Sequence, residues 1–475
     1  MKICLIAEGC YPYVAGGVSS WIQMLIEGMP QHQFVIYTVA ANMEQKGKFK
    51  YTIPENVISV EENFLDQFLS VKIKKNRTYN LLPQEHQAVL DLISRDEVDW
   101  NCLFDMFSQG GKYRANEFLC SHAFMDIVME ACETTYRVTP FTQVFWTIRS
   151  MLLPVLNIIS CPVPDVDVFH SVSTGYAGLL GAMFRYRTGR PYLITEHGIY
   201  TREREEEILK ASWVDVYFKQ TWIDFFVGMS RASYEKADRI ISLFYGARQL
   251  QIEIGADPDK CLVIPNGIDM KRFAHISPLE DDGHPLALGA VIRVVPIKDI
   301  KTMIYAFDLV RHKVPDAKLY LIGPTDEDPE YYQECMDLIH SLGCTGIEFV
   351  GRVNVAEWYG RVDIVLLSSV SEGQPFVILE AMASRRPVIA TDVGSCRELI
   401  EGSMDSFGNA GLVVPVMNPD QMSKAILKLH QNVRLRMEMA EVGPKRVRAS
   451  YRVEDFLAAY ENLYQEVNGS GGSGL

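Results

Sequence analysis

The stretch DIVLLSSVSEGQPFVILEAMASRRPVIATDVG (residues 363–394) carries the pattern that decides the fold. It opens with an apolar run, passes through a polar loop around Glu372, continues as a helical pattern, and returns to an apolar run at 387–393. Apolar strands that alternate with helices are typical of a parallel sheet covered on both faces. The stretch is therefore predicted to be a strand–helix–strand unit of an α/β fold.

The same alternation extends over the C-terminal half of the chain. Further strands are predicted at 286–294, 317–323, 347–353 and 410–416. Each is followed by a helical pattern, which predicts a doubly wound, Rossmann-like domain over 286–450. A terminal helix over 451–467 is expected to pack back on the first domain.

The N-terminal part follows the same rhythm with one interruption. Its strands are predicted at 2–8, 33–39, 166–173, 191–198, 237–244 and 260–267. The chain between about 42 and 160 is richer in helical patterns and aromatic residues. A Rossmann-like domain over 1–275 with a mainly helical insertion is therefore predicted, and the polar, Pro/Gly-punctuated segment 275–286 is the expected linker. Ligands of such sheets bind at the carboxyl ends of the strands, so a cleft between the two domains is expected.

Composition excludes several other classes of protein. A formal net charge of −14 disfavours binding to nucleic acid or to an anionic membrane. The ten cysteines include no CxxC pair and no Cys/His cluster at zinc spacing. The apolar stretch 144–160 contains Arg149 and Pro154 and is too short to span a bilayer, so it is predicted to be a buried or interfacial helix pair. A cytoplasmic location is expected, and the Gly/Ser-rich end at 469–475 is typical of an artificial linker.

Two glutamates flank the start of the helix predicted after Ser369. Glu372 lies in the loop, Pro375 suits the first turn, and Glu380 falls in the second turn. The free N–H groups of a helix N-terminus bind phosphate, and carboxylates on both sides suit sugar hydroxyls. A nucleotide sugar fits this pattern. A capped surface helix with incidental acidic residues is the alternative.

A second group of polar residues follows the predicted strand at 286–294. Arg293 and Lys298 could neutralise a diphosphate without a metal ion, or they could be two solvated cations. Near the N-terminus, Gly16 and Gly17 would let the backbone approach a ligand closely, although a tight turn explains them equally well.

Three further polar residues lie at strand ends in the N-terminal half. His197 could hydrogen-bond a sugar hydroxyl or assist proton movement, and a purely structural role is the alternative. His170 and Glu196 could contact an acceptor or frame the site.

Taken in order along the chain, these motifs resemble the GT-B glycosyltransferases of family 4. The matching features are the Gly16–Gly17 loop, EHG at 196–198, PNGID at 265–269, the Arg293/Lys298 loop and the Glu372/Glu380 pair. The segments AEGCYPYVAGGVSSW and TEHGIYTRERE, with the insertion, look like the PelF-type enzymes of Pel exopolysaccharide synthesis. The resemblance implies two Rossmann-like domains facing across a cleft.

The resemblance also implies roles for individual residues. Glu372 would bind the donor sugar, Glu380 the ribose, and Arg293 with Lys298 the diphosphate, while His197 would lie near the anomeric carbon. The residues implied in donor binding are Gly16, Gly17, Arg293, Lys298, Arg352, Val353, Glu372, Gly373, Pro375, Phe376, Val377 and Glu380. Those implied in catalysis are His197, Arg293, Lys298 and Glu372.

The implied reaction is retaining transfer from a UDP-sugar to a growing polysaccharide, with no metal or other cofactor. Asp326 and Asp328 mimic a metal-binding DxD motif but are predicted to be solvated. The implied partners are proteins of an inner-membrane polysaccharide synthesis complex, which would recruit the chain to the cytoplasmic face. A nucleotide-sugar epimerase and a non-catalytic UDP-sugar-binding component of such a complex are the alternatives.

Overall fold

The computed structural model describes residues 1–70, 79–94, 97–278, 283–403 and 405–470, and the chain divides into two compact units. Unit 1 comprises Met1–Val263 together with the chain from Tyr460 onward, and unit 2 comprises Ile264–Ala459. The division falls before the linker predicted at 275–286, of which residues 279–282 lie outside the described part. Residues 471–475 of the predicted artificial linker also lie outside it.

Unit 1 is built on a seven-stranded parallel sheet in the order β3-β2-β1-β4-β5-β6-β7. Its strands are β1 (Lys2–Glu8), β2 (Gln33–Ala40), β3 (Val57–Phe64), β4 (Val168–Ser171), β5 (Tyr192–Glu196), β6 (Arg239–Ser242) and β7 (Cys261–Val263). The central strands are buried along most of their length, and Ile3 to Ala7 of β1 are at most 1% exposed. Burial on both faces explains why these strands read as unbroken apolar runs.

Helices cover this sheet and form most of the segment between β3 and β4. They are α1 (Gly17–Glu27), α2 (Pro83–Ser94), α3 (Trp100–Phe107), α4 (Ala115–Phe118), α5 (His122–Thr134), α6 (Phe141–Ile158), α7 (Tyr176–Thr188), α8 (Tyr200–Lys210), α9 (Val216–Lys236) and α10 (Tyr245–Ile254). Helix α18 (Val453–Ser470) begins in unit 2, and its part from Tyr460 onward belongs to unit 1. Short 3-10 turns occur at Met43–Gln45 and Leu65–Ser70.

One local expectation for the segment 42–160 was wrong, and one strand there was not predicted. The apolar stretch 144–160 is not a helix pair, because α6 continues through Pro154 as one helix. The buried neighbours Leu153, Val155 and Leu156 hold the helix together where Pro154 removes one backbone hydrogen bond. Strand β3 was not predicted, since it is only partly buried and therefore shows no apolar run.

Unit 2 has a six-stranded parallel sheet in the order β10-β9-β8-β11-β12-β13. Its strands are β8 (Ala287–Val291), β9 (Lys318–Ile322), β10 (Ile347–Gly351), β11 (Ile364–Leu367), β12 (Val388–Thr391) and β13 (Gly411–Val414). Its helices are α11 (Ile300–Arg311), α12 (Pro329–Leu342), α13 (Val355–Tyr359), α14 (Phe376–Ala383), α15 (Cys396–Glu401), α16 (Pro419–Gln431) and α17 (Val433–Ser450), with 3-10 turns at Met270–Phe273 and Pro296–Lys298.

The strand orders define a ligand-binding edge in each unit. The order of connection reverses between β1 and β4 in unit 1, and between β8 and β11 in unit 2. Doubly wound sheets bind ligands at such a reversal, outside the carboxyl ends of the strands. No helix in the described ranges has both the length and the apolar character needed to cross a membrane.

Candidate functional site

The loops that leave β8 and β11 bring Lys298 and Glu372 together at the strand reversal of unit 2. Lys298 ends the 3-10 turn after β8, and Glu372 lies between β11 and α14. The Lys298 ammonium donates a hydrogen bond to the Glu372 carboxylate, although the two residues are 74 positions apart. Their side chains are only 17% and 12% exposed. A cation and an anion are thus held side by side where a ligand of this fold would bind.

Hydrogen bonds from neighbouring strands hold both loops in place. The hydroxyl of Ser369 donates to the Glu372 carboxylate (2.5 Å). Thr391, at the end of β12, donates to the carbonyl of Ser369 (2.6 Å). The Ser368 hydroxyl donates to the carbonyl of Lys298 (2.8 Å). The Lys298–Glu372 pair is therefore preorganised by groups on three adjacent strand ends.

Gly394 is a site residue that sequence reasoning did not single out. It follows β12 with a φ of +53°, and a Cβ atom there would overlap the carbonyl oxygens of Glu372 and Gly373. The amide of Ser395 also donates to the Gly373 carbonyl (3.0 Å). Only glycine combines this left-handed backbone with so close an approach. A glycine shortly after a predicted strand was the available signal.

Helix α14 begins directly after Pro375, and no side chain in the described part of the protein caps its N-terminus. The first N–H groups of a helix have no partner within the helix, so those at the start of α14, around Phe376 and Val377, can serve an anion. Gln374 faces away from this end, since its side chain accepts a hydrogen bond from the amide of Asn266 (2.5 Å). The PNGID motif thus anchors the loop between Gly373 and Pro375.

Glu380 lies in the second turn of α14, where the spacing from Pro375 predicts it. Its carboxylate accepts a hydrogen bond from the Tyr359 hydroxyl (3.0 Å), which comes from α13. Burial raises the pKa of Glu380, while this hydrogen bond and the charge of Arg272 oppose the rise. Tyr359 carries no motif of its own, so sequence reasoning missed it.

The loop after β9 pairs with both predicted arginines. Glu327 accepts a hydrogen bond from Arg293 (2.9 Å), and Asp326 accepts one from Arg352 (3.0 Å). Asp328 caps α12 by accepting from the amide of Tyr331 (2.9 Å). The side chain of Asp326 is 73% exposed, as expected for a solvated residue, and it also forms an ion pair with Arg352. The DxD-like motif therefore neutralises cations and caps a helix. Val353, beside Arg352, is 39% exposed.

In unit 1, His197 follows β5 and packs against Trp21 of α1. The two rings meet edge to face, with centroids 4.7 Å apart. Its Nε2 atom is buried and makes no hydrogen bond within the described part of the chain. Burial lowers the pKa of His197 to about 3, so its imidazole is neutral at ordinary pH. A neutral imidazole can accept or donate a proton in a hydrogen bond without carrying charge.

His170 and Glu196, predicted to contact an acceptor or to frame the site, are both buried in unit 1 and hydrogen-bonded there. His170 is fully buried, and its ring nitrogens hydrogen-bond Tyr464 (2.7 Å) and Thr195 (2.8 Å). Glu196 is 2% exposed, and burial raises its pKa. Its carboxylate accepts hydrogen bonds from Thr174, the amide of Tyr200, Tyr234 and Gln251. Both side chains are thus held by neighbours within unit 1, and their role toward an acceptor stays a prediction.

Gly16 and Gly17 stand at the N-terminus of α1. Gly16 is the residue before the helix, and its amide donates to the Tyr51 hydroxyl (3.4 Å). A Cβ atom at either glycine would meet no atom within 4 Å. Among the residues that the structure describes, packing requires neither position to be glycine, and the space beside them is open.

The buried histidines predict how stability depends on pH. The pKa values of His170 and His197 are both about 3, whereas an unfolded histidine titrates near ~6.5. Below pH 6.5 the unfolded chain binds protons that the folded chain does not, so the free energy of unfolding falls as the pH drops from 6.5 towards 3. Replacing His197 by Gln should make this dependence shallower, by up to about 1.4 kcal/mol per pH unit. Urea unfolding between pH 7 and pH 5 measures it.

The exposed residue His122 of the same unit provides the control. His122→Gln makes the same substitution at an exposed position, and its slope is measured beside that of His197→Gln. Equal slopes for the parent chain and His197→Gln would contradict the neutral, buried state of His197.

In comparisons with known proteins, two different family models match the two parts of the chain. The family model described as "Domain of unknown function (DUF3492)" matches residues 1–259, and the one described as "Glycosyl transferases group 1" matches residues 285–432. An uncharacterized glycosyltransferase of Methanocaldococcus jannaschii is 26% identical over 64% of this chain and 76% of its own length. The phosphatidyl-myo-inositol mannosyltransferase of Mycolicibacterium smegmatis is 28% identical over 53% of this chain and 64% of its own length.

Among solved structures, Anabaena HepE in complex with UDP superposes with a TM-score of 0.62 at 15% identity, covering 98% of this chain and 100% of HepE. The fold is GT-B, as predicted, and the matches over the C-terminal half are to glycosyltransferases. By its first 259 residues, more than half of its length, it belongs to the DUF3492 family.

Proposed function

We propose that this glycosyltransferase moves a sugar from a UDP-sugar to a growing exopolysaccharide chain, with retention of anomeric configuration and without a metal ion. The observation that carries the proposal is the Lys298–Glu372 pair at the strand reversal of unit 2. A diphosphate needs cations and free N–H groups, and a sugar needs a carboxylate for its hydroxyls. Lys298, the N-terminus of α14 and Glu372 supply these groups side by side.

Each group has a role in the proposed reaction. The bond from the anomeric carbon to the UDP oxygen breaks, and the acceptor oxygen bonds to that carbon on the same face. The acceptor's proton passes to the departing phosphate. Lys298 and Arg293 stabilise the charge that develops on this phosphate. To do so, Arg293 leaves its hydrogen bond to Glu327 and binds the phosphate instead. Glu372 binds the hydroxyls of the sugar, and Glu380 binds the ribose. The neutral imidazole of His197 hydrogen-bonds the reacting sugar.

Uracil is the proposed base, with Arg352 and Val353 beside it. HepE, which shares the fold, was solved with UDP and with UDP-glucose, and this supports the assignment. A thermal-shift series with UDP-, GDP- and ADP-sugars should show the largest stabilisation with a UDP-sugar. Incubation with that sugar and an oligosaccharide acceptor should then release UDP. Epimer formation without UDP release would identify an epimerase, and binding without turnover would identify a non-catalytic component.

Pel-type polysaccharide is the proposed product. The support comes from the segments AEGCYPYVAGGVSSW (7–21) and TEHGIYTRERE (195–205), which look like PelF-type enzymes. Under this proposal the N-terminal domain (1–275) binds the acceptor and the C-terminal domain (286–450) binds the donor. The chain works in the cytoplasm, and proteins of an inner-membrane synthesis complex recruit it to the membrane. Co-purification of those proteins with the tagged chain tests the last step.

Chelation should not affect the reaction. In the described ranges no cluster of three His, Cys, Asp or Glu side chains could hold a metal ion, and the acids of the DxD-like loop are engaged by Arg352 and by the amide of Tyr331. Treatment with EDTA is expected to leave the rate of UDP release unchanged within twofold. A loss of activity that Mg²⁺ restores would contradict the metal-free mechanism.

A further inference from the structure

A groove on unit 1 lies between α6 and the start of α9. It encloses about 450 Å³. One wall is a face of α6, on which Thr142, Trp146 and Ser150 recur every four residues. The other wall contains Trp213, from the α8–α9 connection, and Trp222 of α9. Nothing in the proposed donor chemistry uses this groove.

Exposed aromatic rings dominate the groove. Trp146 is 62% exposed and Trp213 is 71% exposed. The ring of Trp213 is held edge to face against Trp222, with centroids 5.6 Å apart, and the Arg149 guanidinium lies 5.7 Å from the Trp146 ring centre. Large aromatic side chains normally bury their faces. Two indoles that are held in place and left open indicate a binding surface.

The polar residues of the groove identify its ligand. Thr142, Gln143, Thr147 and Ser150 line it together with one charged residue, Asp215. Ser150 already donates to the carbonyl of Thr147, and Asp215 accepts from the amide of Tyr217. An apolar helix of a protein partner would still cover the side chains of Thr142, Gln143 and Thr147 without offering them hydrogen bonds, at a cost in binding. A sugar ring satisfies both kinds of lining, because its C–H faces are apolar and its hydroxyls project around its edge. Asp215 in the lining and the Arg149 guanidinium beside Trp146 can both hydrogen-bond sugar hydroxyls.

The position of the groove fits an acceptor chain. Tyr200 marks the carboxyl edge of the sheet, because its hydroxyl donates to Glu8 at the end of β1 (3.1 Å). Phe226 of α9 packs against the Tyr200 ring (5.9 Å). Phe218, in the groove, precedes Phe226 by two helical turns, about 12 Å at 1.5 Å per residue. The groove therefore lies beyond the edge at which this sheet binds ligands.

We infer that this groove binds a sugar unit of the glycan acceptor, stacked on Trp146 and Trp213, away from the reacting end. The groove holds the growing chain between additions, so that transfer to long acceptors is favoured over transfer to short ones. This inference rests on the proposed function for the identity of the glycan as an acceptor.

The test is a titration of the full-length protein with cellohexaose, maltohexaose and chitohexaose, followed by tryptophan fluorescence. At least one hexasaccharide should bind saturably, and Trp146→Ala or Trp213→Ala should weaken that binding at least tenfold. Trp213→Phe retains a ring and should retain most of the affinity. Leu209→Ala, at an exposed apolar position outside the groove lining, should bind like the parent chain. Thermal unfolding verifies that each variant is folded.

Two outcomes would overturn the inference. One is that no hexasaccharide binds, or that the tryptophan variants bind as tightly as the parent chain. The other is a concentration-dependent dimer in sedimentation that the tryptophan variants abolish, since the groove would then receive a second copy of the chain. UDP binding is measured in parallel. Retained UDP binding with no glycan binding removes this inference alone, and loss of UDP binding in the parent chain counts against the proposed function.

Discussion

Lys298→Ala is expected to lower the rate of sugar transfer by roughly 10²- to 10³-fold, the usual loss when one group that stabilises developing charge is removed. Lys298 is the least exposed cation of the proposed site, with 17% of its side chain accessible against 41% for Arg293. A low-dielectric setting strengthens its effect on the departing phosphate. Its loss also leaves the Glu372 carboxylate without its cation. Steady-state assays of UDP release measure the effect.

Lys301→Ala is the matched control. Lys301 lies one turn further along, in α11, and its ammonium pairs with Glu334 on the surface. Exposed pairs of this kind contribute ~0–1 kcal/mol, so this variant should remain as active as the parent chain. Glu372→Gln keeps the size of the side chain and should also lose at least tenfold. Parent-like rates for both Lys298→Ala and Glu372→Gln would place the reacting sugar elsewhere.

Gly394→Ala is expected to abolish most of the activity while leaving the chain folded. The added methyl group would overlap the carbonyl oxygens of Glu372 and Gly373, so the loop that carries Glu372 must move. A displacement of about 1 Å in a catalytic group can cost ~10²-fold in rate. Activity and thermal unfolding are measured on the same preparation, so that loss of rate is separated from loss of fold.

Gly343→Ala separates backbone strain from displacement of the loop. Gly343 has a φ of +59°, close to the +53° of Gly394, and a Cβ atom there would meet nothing within 4 Å. Both variants therefore carry the cost of a left-handed alanine, about 1 kcal/mol. Gly343→Ala should lower the unfolding temperature slightly and retain activity. Equal activity of the two variants would show that the Gly394 contact does not position Glu372.

The loop around Glu372 could be predicted from the sequence, because each signal that locates it comes from neighbouring residues in the chain. A buried parallel strand reads as an apolar run, and a proline marks the start of a helix, so the loop between them is located without any tertiary information. The same reasoning placed Arg293 and Lys298 after β8. It failed for β3 and for the helix through Pro154, where partial burial and packing outweighed the local signal.

The hydrogen-bond and ion-pair partners of the site residues could not be predicted from the sequence. Arg293 and Lys298 looked equivalent in sequence, yet Lys298 pairs with Glu372 and Arg293 pairs with Glu327. His170 and His197 both lie at strand ends. His170 is hydrogen-bonded by Thr195 and Tyr464, whereas the buried Nε2 of His197 has no hydrogen-bond partner among the described residues. Strand ends share one edge of a sheet, and the sheet order decides which of them are neighbours.

The sequence by itself determined that this protein is an α/β chain with polar residues concentrated at its strand ends, because the period of apolar residues reflects local burial. Only the tertiary structure decided that Lys298 meets Glu372, that Gly394 must be glycine, and that Trp146 and Trp213 line the same groove. Such contacts join segments that lie far apart in the chain. They depend on the order of the strands and on the packing of the helices. The spacing of apolar residues along one segment contains no information about either.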